Sequence, residues 1–192
     1  MATPIEQFTA MVQNKTVAVI GIGVSNRPLV RMLCEAGATV TARDKNPVEH
    51  PEELTALGVR ILSGEGYLED LNEDLIFKTP GMRYDVPELL AAQERGSVVT
   101  SEMEVFFALC PSPKTIAVTG SDGKTTTTTL IAKMLAAGGH RVFLGGNIGT
   151  PLLPVIDQIG AEDFVVLELS SFQLHTMRQS PHIAVMTNIG IS

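Results

Sequence analysis

The chain has 192 residues, 44% hydrophobic and 18% charged, a globular composition sufficient for one large or two small domains. Its net charge of −7 argues against a nucleic-acid backbone as partner, so an anionic ligand would need a local site of N–H groups and a few cations. There is no Lys/Arg-led leader or apolar run of transmembrane length, and Cys34 and Cys110 fit no metal spacing; a reduced, cytoplasmic setting is expected, with both cysteines in the core.

Short apolar runs alternate with helical patterns along the whole chain. A β-rich run at 16–20 ends in Gly21 and Gly23, and a helical pattern at 29–36 stops at Gly37, a suitable residue just past a helix end. Strands are expected at 38–42, 59–62, 75–78 and 97–100, with helices at 51–57, 86–95 and 102–109. The segment 111–113, Pro-Ser-Pro, is the best linker candidate. A second series follows: strands at 115–118, 141–144, 164–169 and 183–187, and a helix at 124–137 ending in Gly138 and Gly139. Strand–helix alternation on both sides of the linker predicts two α/β domains with parallel sheets. Mean hydropathy of +0.21 suits strands buried on both faces.

The most informative stretch is TIAVTGSDGKTT, residues 115–126. It reads as an apolar strand, a glycine turn and a helix opening at Lys124. Backbone N–H groups freed by the glycines, together with the helix N-terminus, suit the phosphates of a nucleoside triphosphate. Lys124 reaches the β/γ oxygens and the Thr125 hydroxyl suits Mg²⁺. Val118 stands where the common phosphate-loop pattern has its first glycine. Thr127, Thr128 and Thr129 are expected to pack or cap.

Three other places could carry chemistry. The run GIGVSN, residues 21–26, resembles a dinucleotide fingerprint with Asn26 in the third glycine's place, and Asp44 lies where an acidic ribose partner would end the second strand. The missing glycine counts against ordinary NAD binding. Glu168, near the end of an apolar strand, is costly to bury unless it is paired or metal-bound; it reads as a Mg²⁺ ligand or as a partner of Lys124. The run GGNIG, residues 145–149, suggests either backbone held close to a ligand, with Asn147 able to donate and accept, or a plain loop. The four histidines form no ligand spacing, and the acidic cluster at 65–74 reads as a solvated face.

Taken together, TGSDGKT (119–125), GGNIG (145–149) and ELSSFQL (168–174) resemble the Mur ligases of peptidoglycan synthesis. Within that family they are most similar to the branch that joins D-glutamate to UDP-N-acetylmuramoyl-L-alanine; ELSSFQ discriminates most. The resemblance covers the whole chain. Residues 1–110 resemble a Rossmann-like, UDP-substrate-binding domain, and 114–192 the front part of a P-loop-type α/β ATPase domain.

This implies ATP-driven amide formation through an acyl phosphate, with Mg²⁺. By the same resemblance Val24, Ser25, Asp44, Lys45, Thr79 and Gly81 contact the UDP end, and Asn147, Ser170 and Gln173 lie along the muramoyl-alanine arm. Gly120, Ser121, Asp122, Gly123, Lys124, Thr125 and Thr126 hold ATP, Lys124 being catalytic on the transferred phosphoryl group, while Thr125 and Glu168 serve Mg²⁺. Asp122 stands where the family often has asparagine; an extra carboxylate beside phosphates is repulsive unless it turns away to cap the helix. Family members continue into further ligand-bearing segments, so the chain is expected to be a monomeric N-terminal portion, inactive alone. Its rival reading is a non-catalytic module that binds the UDP substrate and nucleotide. The phosphate loop and Glu168 weigh against a third reading, an NAD-dependent oxidoreductase.

Overall fold

The computed structural model describes residues 2–23 and 26–190. Two compact units divide the chain, 1–102 and 103–192.

The first unit carries a five-stranded, wholly parallel sheet in the order β3-β2-β1-β4-β5. Its strands are β1 (Thr16–Ile20), β2 (Thr39–Asp44), β3 (Arg60–Ser63), β4 (Leu75–Phe77) and β5 (Val98–Thr100). Helices α1 (Pro4–Val12), α2 (Asn26–Glu35), α3 (Pro51–Thr55) and α4 (Pro87–Glu94) alternate with them. The central strands are the most apolar: Val17, Ala18, Val19 and Ile20 of β1 and Ile76 and Phe77 of β4 are fully buried. Burial of each large side chain contributes about 1.5–3 kcal/mol. Helix α2 closes as the glycine implied, with Gly37 at φ +82° and the Ala38 N–H bonded to the Leu33 carbonyl at 3.0 Å.

Two features of this unit go beyond the apolar periodicity. Helix α1 is nucleated by a capping box, Thr3 Oγ1 accepting from the Glu6 N–H and Glu6 accepting from the Thr3 N–H, and it buries Phe8 and Val12. Between β3 and β4 the chain runs without a helix through the acidic cluster. Arg43, only 3% exposed, organises that segment. Its guanidinium pairs with Glu73 at 2.9 Å and donates to the Tyr67, Glu69 and Asp70 carbonyls. The cluster is thus a solvated face only in part: Glu73 is buried, and Asp74 accepts from the Thr16 N–H and hydroxyl, both at 2.8 Å.

The second unit has a four-stranded parallel sheet in the order β7-β8-β6-β9. Its strands are β6 (Thr115–Thr119), β7 (Val142–Gly146), β8 (Phe164–Glu168) and β9 (Ile183–Met186). Helix α5 (Glu102–Leu109) starts at the boundary between units and groups, from Met103 onward, with the second one, so the compact units divide upstream of the Pro-Ser-Pro segment. Helix α6 (Lys124–Ala137), a 3₁₀ turn (Leu153–Gln158) and the one-turn α7 (Ser171–Leu174) complete it. In α6 the threonine-rich start is tolerated partly because buried Thr128 donates its hydroxyl to the Lys124 carbonyl at 2.7 Å.

Candidate active site

In each unit the candidate residues gather at the carboxyl ends of parallel strands, where open α/β sheets place their ligands. In the second unit β6 ends at Thr119 and turns through Gly120 (φ +140°) and Gly123 (φ +77°) into α6. Gly123 is the N-cap and no side chain caps the helix. Asp122 is exposed and does not cap the helix, so its carboxylate is left beside the loop. The opening turn of α6 therefore keeps uncapped N–H groups and the positive end of the helix dipole. Lys124 folds over the loop, its Nζ donating to the Gly120 carbonyl at 2.7 Å and the Ser121 carbonyl at 3.0 Å. It does not pair with Glu168. Thr126 is exposed beside Thr125 on the first turn.

Glu168 ends β8 and is 3% exposed. One carboxylate oxygen accepts from Thr125 Oγ1 at 2.7 Å and the other from Asn147 Nδ2 at 3.3 Å. Among the described residues no cation pairs with it, so a buried charge rests on two neutral donors. The hydroxyl, carboxylate and amide are hard oxygen and amide groups that suit Mg²⁺. No cluster of three His, Cys, Asp or Glu side chains with metal-binding geometry occurs among the described residues.

The glycines of the 145–149 run answer to their own chain. A Cβ on Gly146 would overlap the Glu168 carbonyl, one on Gly145 would lie 2.5 Å from Leu152 Cγ, and one on Gly149 2.8 Å from the Leu144 carbonyl. These close approaches bring the Asn147 N–H to the Glu168 carbonyl at 2.8 Å and its side chain to the carboxylate. Ser170 caps α7 in a reciprocal box with Gln173, whose Oε1 accepts from the Ser170 N–H at 2.9 Å and hydroxyl at 3.1 Å. Gln173 is buried behind Ser170, while Ser170 faces a cavity of about 480 Å³ that Gly120, Ser121, Lys124 and Asn147 also line.

The first unit is built differently. Asp44, at the end of β2, accepts from the Ile22 N–H at 2.7 Å and the Asn46 N–H at 2.8 Å, so its carboxylate shapes the glycine turn after β1. Gly21 (φ +81°) leaves no room for a side chain, since a Cβ would sit 2.7 Å from Thr79 Cβ at the end of neighbouring β4. That is the point where strand order reverses. Asn26 has its own use: 4% exposed, it donates to the Ile20 and Gly21 carbonyls at 3.2 and 2.8 Å, closing the strand end instead of leaving it open. Lys45 and Gly81 are exposed and Thr79 is half-buried. Val24 and Ser25 lie outside the described residues.

Reading by motif missed two buried cations, Arg43 and Lys78. Lys78, 1% exposed, follows β4 and donates to the Met82 carbonyl at 3.2 Å. A basic residue within strand β2 or directly after strand β4 was the available signal. Cys34 and Cys110 are half-buried, and burial pushes both thiols up, away from reactivity.

Residues 118–192 match the Mur ligase middle domain family. The chain is 55% identical to the UDP-N-acetylmuramoylalanine–D-glutamate ligase of Acetivibrio thermocellus, over 98% of this chain and 41% of that protein. It is also 55% identical to the ligase of the same name from Ruminiclostridium cellulolyticum, over 98% of this chain and 42% of the relative. The chain thus spans about two fifths of the length of these curated relatives. Among solved structures, UDP-N-acetylmuramate-alanine ligase from Thermotoga maritima superposes with a TM-score of 0.53 at 24% identity, over 92% of this chain and 42% of that one. The UDP-N-acetylmuramate:L-alanyl-gamma-D-glutamyl-meso-diaminopimelate ligase from Neisseria meningitides gives 0.54 at 21% identity, over 93% and 61%. The structural likenesses speak for the fold alone, and the two-sheet α/β architecture agrees with them. The domain match and the high identity along nearly its whole length place this chain in the Mur ligase family.

Proposed function

We propose that this chain forms the UDP-substrate and nucleotide sites of a cytoplasmic, monomeric, ATP-dependent ligase that joins D-glutamate to UDP-N-acetylmuramoyl-L-alanine. The observation that carries the reading is the convergence of Lys124, Thr125, Asn147 and Glu168 at the carboxyl ends of β6, β7 and β8. In this reaction a substrate carboxylate attacks the γ-phosphorus of ATP, giving an acyl phosphate and ADP. The amine of D-glutamate then displaces phosphate to form the amide.

The residues present suit those steps. Gly120, Ser121, Asp122, Gly123 and Thr126 border the triphosphate, whose oxygens face the uncapped start of α6. Lys124 exchanges the Gly120 and Ser121 carbonyls for oxygens of the transferred phosphoryl group and stabilises the charge developing there. Thr125 and Glu168 would hold Mg²⁺, which would supply charge neutralisation to the triphosphate. Asn147 orients the Glu168 carboxylate and, with Ser170 and the buried Gln173 behind it, borders the muramoyl-alanine arm. Asp44, Lys45, Thr79 and Gly81, with Val24 and Ser25, form the UDP pocket. Asp122 leaves an exposed carboxylate beside the phosphates, a repulsion that lowers nucleotide affinity.

Calorimetric titration of the chain with Mg²⁺-ATP, UDP-N-acetylmuramoyl-L-alanine and NAD tests the reading. Binding of the first two and none of NAD is expected. Micromolar NAD binding with no response to either of the others would overturn it.

A further inference from the structure

The residues that follow β9 grip the phosphate loop. Asn188 exchanges hydrogen bonds with Asp122 in both directions: its Oδ1 accepts from the Asp122 N–H at 3.0 Å, and its Nδ2 donates to the Asp122 carbonyl at 3.3 Å. The Asn188 carbonyl accepts from the Ser121 N–H at 3.2 Å. Thr187 Oγ1 donates to the same Asp122 carbonyl at 2.6 Å and to the Thr119 carbonyl at 3.2 Å. The Gly190 N–H donates to Ser121 Oγ at 2.7 Å. Gly120 is glycine for this reason as much as for a phosphate: a Cβ there would overlap Thr187 Oγ1 and lie 3.0 Å from the Asn188 carbonyl.

This clasp sorts the donors of the loop. The Ser121 and Asp122 N–H groups, which a glycine-rich loop would otherwise offer to an anion, are spent on Asn188. Lys124 lines the cavity, and the opening turn of α6 keeps its N–H groups free of any side-chain cap. We propose that Asn188 is a positioning residue that presets the phosphate loop. It holds residues 120–122 in one shape, so that a triphosphate meets the helix start without first ordering a loop flanked by two positive-φ glycines. Asn188 borders the cavity, yet both polar atoms of its amide are turned onto residue 122, so it acts through the loop.

The inference rests on the nucleotide reading, and the experiment separates the two. Mg²⁺-ATP affinity and amide hydrogen exchange at Ser121 and Asp122 are measured on the 192-residue chain and on its N188A, N188D and T187V variants. In N188A both amides are expected to exchange about tenfold faster and Mg²⁺-ATP to bind about tenfold more weakly, with Tm within about 3 °C of the unaltered chain. T187V should move both readouts the same way by less. N188D keeps an acceptor and should regain protection at Asp122. Binding of UDP itself, whose proposed pocket lies in the first unit, should not change in any variant. Weakened ATP binding with unchanged exchange would mean that Asn188 touches the nucleotide directly, and faster exchange with unchanged ATP binding would mean a purely structural bond; either overturns the positioning role alone. If the unaltered chain bound no Mg²⁺-ATP, the nucleotide reading would fail and this role with it.

Discussion

The two glycine turns of this protein stand in equivalent places, each between a central parallel strand and the helix that follows, yet they are finished with opposite charge. After β1 the turn is closed by acceptors and a neutral amide: Asp44 takes the Ile22 N–H, and Asn26 covers the strand-end carbonyls. After β6 the turn is tied down by Thr187 and Asn188, the helix start is left uncapped, and a lysine lies across the loop. A carboxylate inside the first turn repels a triphosphate but can accept from a ribose hydroxyl. A lysine and bare N–H groups in the second suit concentrated negative charge. A shared glycine rhythm therefore says little about the ligand; the charged side chain that completes each turn says more.

The strongest test of that contrast is Lys124→Ala. With this chain replacing the matching segment of the 55% identical Acetivibrio thermocellus ligase, the substitution should lower D-glutamate addition by about 10²-fold or more while UDP-substrate binding persists. Near-normal turnover would remove Lys124 from the chemistry. Next comes Glu168→Gln, which should abolish the Mg²⁺ dependence of nucleotide binding and weaken Mg²⁺-ATP by about tenfold. A titration still dependent on Mg²⁺ to the same degree would place the metal elsewhere.

Asp44→Ala probes the other turn. It frees the Ile22 N–H and should weaken UDP-N-acetylmuramoyl-L-alanine by about tenfold without affecting ATP; equal loss of both ligands would mean general destabilisation instead. Asn26→Ala leaves two strand-end carbonyls unpaired and should cost about 1–3 kcal/mol in urea unfolding. An unchanged midpoint would show that water replaces the amide there.

The smallest effect concerns pH. The N–H and hydroxyl of Thr16 hold the Asp74 carboxyl below its usual value. Its folded pKa is the depressed one, so its contribution is present above the unfolded pKa of about 4 and fades as pH falls through the folded value. Asp74→Asn should flatten the acid limb of the stability curve slightly; an identical limb would show that the bonds do not matter.

Most of the element sequence was legible because both sheets are parallel and their central strands are buried, so β1, β4, β6 and β8 read as apolar runs between helical patterns. Helices α5 and α6 begin and end where their patterns do. Helix α1 was missed because its signal is a capping box, Thr3 with Glu6, and not a long apolar face. The one-turn α7 was missed for the same reason, its existence depending on Ser170 and Gln173. Thr125 and Glu168 were legible only as expected Mg²⁺ ligands; the hydrogen bond between them was not, because a carboxylate in an apolar strand points first to a lysine or arginine partner.

By itself the sequence determined the strand–helix order, the two glycine turns, and the types of side chain available to each: a lysine and a threonine after one, an aspartate beyond the other. Those are local properties, set by periodicity, by glycine's conformational freedom and by the cost of burying charge. Tertiary structure decided which N–H groups stay free. Asn188 lies 66 residues from Asp122 along the chain and meets it only because β9 pairs with β6. Arg43 became a buried hub only because the acidic segment folds back onto it. Hydrogen bonds between residues far apart in sequence leave no periodic trace, so sequence can supply the donors and acceptors while only the packed sheet assigns them to one another.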